Sequence, residues 1–253
     1  MSKTVLITGA TAGIGKACAH KFAKEGYRII ISGRRADRLE VIASELTDQY
    51  NTEVLTLEFD VRNKEDVQKA VNSLSEEWST IDVLVNNAGL ALGLSPVQDG
   101  DTEDWDTMID TNIKGLLYMG KAVSNLMIKK SRGHIINIGS IAGKEVYPNG
   151  NVYSATKHAV DAISKGMRLD LLKHGIRVTQ VAPGAVETEF SIVRFKGDEE
   201  RAAKVYDRYT PLYPEDVAEV AYYTTTLPGH VNINDVLVMP TNQANATTFH
   251  KEG

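Results

Sequence analysis

Cysteine is almost missing from this chain: Cys18 is the only one in 253 residues. That excludes an internal disulfide and a cysteine-built zinc cage, and it leaves helix packing as the expected role of Cys18. Long apolar runs are missing too, since no uncharged stretch approaches the roughly 18 residues that cross a bilayer. The opening MSKTVLITGA passes into a strand-like run without the extended apolar region and small-residue cleavage site of a secretory signal, so a cytoplasmic protein is expected. Positive charge is in short supply: 28 Lys and Arg face 33 Asp and Glu, for a net charge of −5, and the basic residues are dispersed. Nucleic acid and anionic membranes are therefore poor partners, and a small ligand is expected. No Pro/Gly/Ser-rich linker, repeat or low-complexity segment divides the chain. With 42% hydrophobic and 24% charged residues, its composition is that of a globular protein, and its length suits one large core, so a single domain over 1–253 is expected.

Short β-branched runs alternate with stretches of helical periodicity, a pattern that gives parallel strands covered by helices on both faces. Strands are predicted at 4–8, 28–32, 53–59, 81–86, 133–139, 177–182 and 236–239. Helices are predicted near 14–25, 36–49, 64–78, 102–129, 152–173 and 199–225, the last broken by Pro211 and Pro214. The fold class is α/β: a single-domain Rossmann-type, doubly wound parallel sheet of seven strands. Ligands of such sheets bind at the carboxyl ends of the strands, so chemically active residues should follow strands.

After the first strand comes TGATAGIG, with Gly9, Gly13 and Gly15. The spacing is not G-x-G-x-x-G, but glycines at this point let backbone N–H groups and a helix N-terminus approach a pyrophosphate. A plain strand-to-helix turn is the alternative, and placement at the first strand of an alternating series favours the dinucleotide. The second strand ends in SGRR rather than in an acid that would hold a ribose 2′-hydroxyl. Arg34 and Arg35 complement a 2′-phosphate, which predicts NADP, against the alternative of a solvated helix start. Asp60 and Val61, after the third strand, either meet the adenine or form an ordinary helix cap. NNAG, residues 86–89, offers small residues beside the cofactor ribose.

The chemistry is expected at the next strand ends. Ser140 follows the fifth strand. Of the ten tyrosines only Tyr153 has a lysine four residues later, Lys157, and on a helix the two side chains share a face. Bringing a phenol from pKa 10 to about 7 needs about 4 kcal/mol. A cation at about 5 Å supplies ~0.8 kcal/mol in water and ~3 kcal/mol at an effective dielectric near 20, so a closed site suffices. Tyr153 would then exchange a proton with an alcohol or carbonyl while Ser140 holds the substrate oxygen. Taken singly, Ser140 is also a plausible turn serine and the Tyr/Lys pair an exposed helix face; their joint position after the phosphate loop favours catalysis. Asn112, within a predicted helix, either marks a local irregularity holding a proton-relay water or is a surface residue.

Thr8-Gly9-x3-Gly13-x-Gly15, Asn86-Asn87-Ala88-Gly89, Asn112, Ser140, Tyr153-x3-Lys157 and Pro183-Gly184 with Thr188 together resemble the short-chain dehydrogenase/reductase family over nearly the whole chain. The resemblance implies a catalytic set of Asn112, Ser140, Tyr153 and Lys157. It also implies a cofactor site that includes Thr8, Thr11, Ile14, Asn87, Ala88, Gly89, Pro183, Gly184, Val186 and Thr188, with Lys157 on the nicotinamide ribose. A homotetramer is implied as well. NNAGLALG, DWDTMIDTN, HIINIGS, ETEFSIVRFKGD and PTNQA resemble one subgroup, the NADP-dependent 3-hydroxy acid (serine) dehydrogenases. That similarity implies a 3-hydroxy acid such as L-serine, L-allo-threonine or 3-hydroxypropionate, or malonic semialdehyde in the reductive direction, as substrate.

A segment around 187–212 is expected to act as a lid that closes over the site. Within it Arg194 first, and Lys196 second, are the candidates to hold a substrate carboxylate, unless both are merely solvated; Tyr147 and Asn151 are expected to line the pocket. The polar tail 240–253 reads as flexible by composition, whereas the resemblance places it on a neighbouring subunit. Rival readings are a broad carbonyl or carrier-bound 3-oxoacyl reductase and a cofactor-binding sensor without turnover. The complete Ser/Tyr/Lys set argues against the sensor.

Overall fold

The computed structural model describes residues 2–251. Seven strands, β1 (Thr4–Thr8), β2 (Arg28–Gly33), β3 (Val54–Glu58), β4 (Val83–Asn86), β5 (Gly133–Ile138), β6 (Ile176–Pro183) and β7 (Asp235–Val238), run parallel in the order β3-β2-β1-β4-β5-β6-β7. The helices are α1 (Gly13–Lys24), α2 (Ala36–Tyr50), α3 (Lys64–Asn72), α4 (Thr102–Ile109), α5 (Leu116–Lys130), α6 (Asn151–Leu171), α7 (Phe190–Arg194), α8 (Glu199–Lys204) and α9 (Pro214–Thr226). Among the described residues no helix is long and apolar enough to cross a membrane.

The strands read as continuous apolar runs because both faces of the sheet are covered. Val5, Ile7, Ile29, Ile31, Val83, Val85, Ile136 and Ile138 face one core, with Phe22 of α1, Leu46 of α2 and Val217 of α9. Leu6, Ile30, Leu84, Ile135 and Val178 face the other, with Val67 of α3 and Met119, Val123 and Met127 of α5. Cys18 is wholly buried in the first core, which pushes its thiol up to about 12. Sheet order reverses between β1 and β4, and the cleft at their carboxyl ends lies where a doubly wound sheet binds ligands.

Three helical expectations change. The predicted helix 64–78 stops at Asn72, where the Ser73 hydroxyl donates to the Ala70 carbonyl and competes with the helical ladder. The predicted helix 102–129 is α4 and α5 joined by a π-helical turn over Asp110–Gly115. The last predicted helix is α8 and α9, with Pro214 in the first turn of α9 and the Asp216 carboxylate accepting from the Tyr213 N–H. The described part of the tail is bonded to its own chain, contrary to a flexible terminus. The Gln243 side chain accepts from the Ala185 N–H at 2.8 Å, the Ala246 N–H donates to Glu145, and Phe249 packs on Tyr209. Residues 252–253 of that expected tail lie outside the described residues.

Gly15 is fixed by packing rather than by its dihedrals. A Cβ there would press on the Gly9 carbonyl oxygen and come within 2.5 Å of Asn87 Nδ2. Overpacking of this kind costs about 1–3 kcal/mol, so Gly15→Ala is expected to lower Tm by about 3–10 °C. Differential scanning calorimetry checks this, and an unshifted transition would show that α1 slides to accept the methyl group.

Candidate active site

A cleft of ≈ 340 Å³ opens along the ends of β1, β4, β5 and β6, in the size range of small-molecule sites. Its floor at the β1–α1 turn is backbone: Gly9 and Gly13 take φ of 64° and 52°, the left-handed region in which a side chain is disfavoured. Thr11, Gly13 and Ile14 line this end. Asn87 Nδ2 donates to the Thr8 and Gly9 carbonyls, which locks the β4 turn against the β1 turn. Asn87, Ala88, Gly89, Pro183, Gly184, Val186 and Thr188 all line the cleft, as the sequence predicts.

Two predicted cofactor residues do not line it. Thr8 is buried, and its hydroxyl accepts from the N–H groups of both Asn87 and Ala88 at 3.0 Å, which ties the β4 turn to the end of β1. Gly15 lies one turn into α1 and serves the packing described above.

At the far rim Arg34, Arg35, Asp60 and Val61 line the cleft. Asp60 is committed to Arg62, which donates to it from Nε, Nη2 and the backbone N–H. Burial raises that carboxyl, but the bonds from Arg62 hold it below the usual range. Arg34 is largely solvated, 3.7 Å from Asp60. Arg35 is the ordered one, with Nη2 and Nε on the Thr11 hydroxyl at 2.7 and 3.2 Å and Nη1 on Glu189. Arg38, not predicted, reaches the same Glu189 carboxylate at 2.8 Å. A turn too tight for side chains, backed by a cluster of guanidiniums, fits an extended diphosphate ligand carrying a further phosphate at its ribose end.

Ser140, Tyr153 and Lys157 line the other end of the cleft. Ser140 caps the short turn 141–143, its Oγ accepting from the Ala142 N–H. Tyr153 and Lys157 project from the first two turns of α6, with Lys157 Nζ 5.9 Å from the phenol ring centre and donating to the Ile138 carbonyl at 3.0 Å. Burial brings Lys157 down to about 8 and pushes Tyr153 up to about 12. The positive charge that draws Tyr153 back down is Arg194, with a smaller contribution from the Ser140 hydrogen bond. Lys157, the expected source of positive charge, is itself desolvated and bound to a carbonyl, and the Arg194 guanidinium lies closer, 4.9 Å from the ring centre.

Asn112 lies inside the π-helical turn and is 1% exposed, so the irregularity is present and the surface alternative fails. Its Oδ1 accepts from the Leu90 N–H, while Nδ2 donates to the Leu90 carbonyl and the Thr156 hydroxyl. Single π-helical turns inside α-helices are frequent at functional sites.

A second cavity of ≈ 280 Å³ shares Tyr153 with the first and is lined also by Tyr147, Asn151 and Arg194. The Asn151 amide is spoken for by the Ser95 carbonyl. Arg194 Nη2 donates to the Tyr147 hydroxyl at 2.8 Å, and its guanidinium sits against the rings of Tyr147, Tyr153 and Phe190. Its Nε is buried without a partner, and among the described residues no carboxylate pairs with it. Lys196, the second candidate, is paired with Asp101 and Asp104 at 3.3 and 3.0 Å. Sequence reasoning did not single out Arg38, Thr111, Glu189 and Phe190 as site residues; Thr111 adjoins Asn112, and Glu189 and Phe190 follow Thr188 within the expected lid, whereas Arg38 meets Glu189 only through folding.

The turn, the guanidinium rim and the Ser/Tyr/Lys cluster on one parallel sheet define a nucleotide-dependent oxidoreductase. The short chain dehydrogenase profile matches residues 3–199, and the chain belongs to that family. It is 52% identical over 241 residues to the NADP-dependent 3-hydroxy acid dehydrogenase YdfG of Salmonella typhi, covering 95% of this chain and 96% of that one. It is 49% identical over 245 residues to sulfoacetaldehyde reductase 2 of Chromohalobacter salexigens, covering 96% of each. Among solved structures, the closed form of serine dehydrogenase complexed with NADP+ matches with a TM-score of 0.92 and 47% identity, over 99% of this chain and 100% of that one.

Proposed function

We propose that this protein is an NADP-dependent dehydrogenase that oxidises the 3-hydroxyl of small 3-hydroxy acids, such as L-serine, L-allo-threonine and 3-hydroxypropionate, or reduces the matching 3-oxo acids such as malonic semialdehyde. The observation that carries this reading is Arg194: a guanidinium with no carboxylate partner among the described residues, wedged among aromatic rings beside Tyr153, where two cavities meet. A small substrate with its reacting oxygen at Tyr153 and Ser140 would place its anionic end on that cation. NADP, when bound, supplies the hydride acceptor or donor and, oxidised, a positive ring.

The chain's own residues do the rest. Ser140 holds the substrate oxygen, and Tyr153 takes the alcohol proton in oxidation or donates it in reduction. Lys157, with a pKa of about 8, keeps most of its charge at neutral pH and orients the nucleotide ribose from the Ile138 carbonyl. Asn112 holds the Leu90 backbone beside Gly89, whose hypothetical Cβ would lie 3.2 Å from Asn112 Oδ1 and 3.5 Å from Lys157 Nζ. Phe190, Val193 and Arg194 form a lid segment whose closure excludes water and strengthens these charges.

A sulfonate presents the same planar guanidinium with a comparable anion, and one relative is named for sulfoacetaldehyde, so sulfoacetaldehyde reduction is the second reading. Spectroscopic NADPH turnover across free 3-hydroxy acids, sulfoacetaldehyde, uncharged ketones and carrier-bound 3-oxoacyl groups separates these. Preference for an uncharged or carrier-bound substrate would overturn the proposal, and no turnover at all would favour a sensor.

Cofactor choice is expected to rest on Arg34 and Arg35. Replacing both by neutral residues should lower the NADP/NAD ratio of kcat/KM by about tenfold or more, the scale of one or two lost charge-assisted bonds. An unchanged ratio would remove them from the 2′-phosphate site. Leu169 and Leu172, exposed by 77% and 73% at the end of α6, support the homotetramer that the family resemblance implies, which light scattering reads directly.

A further inference from the structure

Two guanidiniums at the nucleotide end of the cleft, those of Arg35 and Arg38, are not free. Glu189 lies after β6, on the opposite wall from α2, yet its carboxylate spans the rim to Arg35 Nη1 at 3.3 Å and to Arg38 Nη1 at 2.8 and 3.1 Å. It lines the cleft itself and is 44% exposed in its side chain, so an incoming anion meets it directly. Asp60 stands opposite Arg34, but it is saturated by Arg62 and belongs to the same wall as the arginines. Glu189 is different: it closes a bridge across the mouth, and the residue after it, Phe190, touches the Tyr153 ring at a centroid distance of 5.5 Å.

We propose that Glu189 is an internal competitor for the 2′-phosphate of the cofactor, a specificity-determining residue that occupies Arg35 and Arg38 until the phosphate displaces it. The inference rests on the NADP reading above. A phosphate carries up to two negative charges, and placing them on the same two guanidiniums brings them against the Glu189 carboxylate. The residue therefore opposes phosphate binding twice, by holding the donors and by like-charge repulsion. It does not bear on the 5′-side of the nucleotide, which the Gly9–Ile14 turn at the cleft floor would hold.

The test is calorimetric titration of the full chain with 2′,5′-ADP, and with 5′-AMP as the probe lacking the 2′-phosphate. Glu189→Gln keeps the shape of a half-exposed side chain and removes only its charge. It is expected to tighten 2′,5′-ADP binding by about threefold to tenfold, as for half-exposed charge pairs, and to leave 5′-AMP within about twofold. The gain should shrink at high salt, since the repulsion is screened. Unchanged or weaker binding of 2′,5′-ADP in the variant would overturn the inference while leaving the cofactor reading intact. A wild-type protein that fails to distinguish 2′,5′-ADP from 5′-AMP would instead remove the reading on which the inference depends.

Discussion

Tyr153→Phe is expected to lower kcat/KM by about 10²- to 10⁴-fold in both directions, the range contributed by a positioned acid–base group. The substitution deletes one oxygen from a ring that packs on Phe190 and Arg194, so the fold and NADP binding should persist, and fluorescence titration of NADPH provides the control. The wild-type pH profile should differ between directions. Burial favours the protonated phenol, pushing it to about 12, so the proton donor needed for reduction is present at neutral pH. Oxidation needs the phenolate, whose fraction grows as pH rises, and its rate should climb through the neutral and alkaline range. Arg194 and an oxidised nicotinamide ring both favour phenolate and bring that rise nearer to neutrality. A Tyr153→Phe enzyme with near-normal turnover, or an oxidation rate that falls with rising pH, would assign the proton transfer to another group.

Arg194→Ala is expected to raise KM for anionic substrates by about 10²- to 10³-fold, because truncating one partner of a desolvated charge pair leaves the other uncompensated. Uncharged ketones should be affected far less, and this contrast separates lost anion binding from lost packing against Tyr147 and Phe190. Arg194→Lys should rescue only part of the loss: an ammonium lacks the planar fork and the face that stacks on the rings. Parallel KM measurements on a 3-hydroxy acid and a neutral ketone check the prediction. Equal losses on both would make Arg194 a packing residue and would shift the substrate class away from acids. The arginine is aimed by the lid: the Gly93 N–H donates to the Arg194 carbonyl, and the next charged residue, Lys196, is tied to Asp101 and Asp104.

Much of the site was legible in the chain because it depends on local geometry. Tyr153 and Lys157 meet through helical spacing, the glycines of the β1 turn are needed wherever backbone must approach a phosphate, and residues after strands of a doubly wound sheet converge at one edge. The π-helical turn was visible only as an asparagine out of place. What the chain did not show depends on long-range packing. Thr8 was expected at the cofactor because it adjoins the glycine turn, and in the fold β4 comes down beside it so that the Asn87 and Ala88 N–H groups donate to its hydroxyl. The acidity of Tyr153 was assigned to Lys157 because one turn of helix separates them. Burial acts on both groups, and the closer cation arrives from a segment 41 residues further along the chain, Arg194. Arg38 and Glu189 are 151 residues apart until the fold sets them together, so their pairing carried no signal although Glu189 lies in the expected lid.

The sequence by itself determined the strand and helix alternation, the glycine-rich turn after β1 and the placing of Tyr153 and Lys157 on one helix face, since each follows from periodicity or from spacing within one element. Tertiary structure alone decided which charges face one another. The sheet order brings the segment after β6 over the ends of β1 and β2, and only that approach puts Arg194 on Tyr153 and Glu189 on Arg35 and Arg38. Electrostatic interaction depends on distance through space and on burial, and neither is a function of separation along the chain.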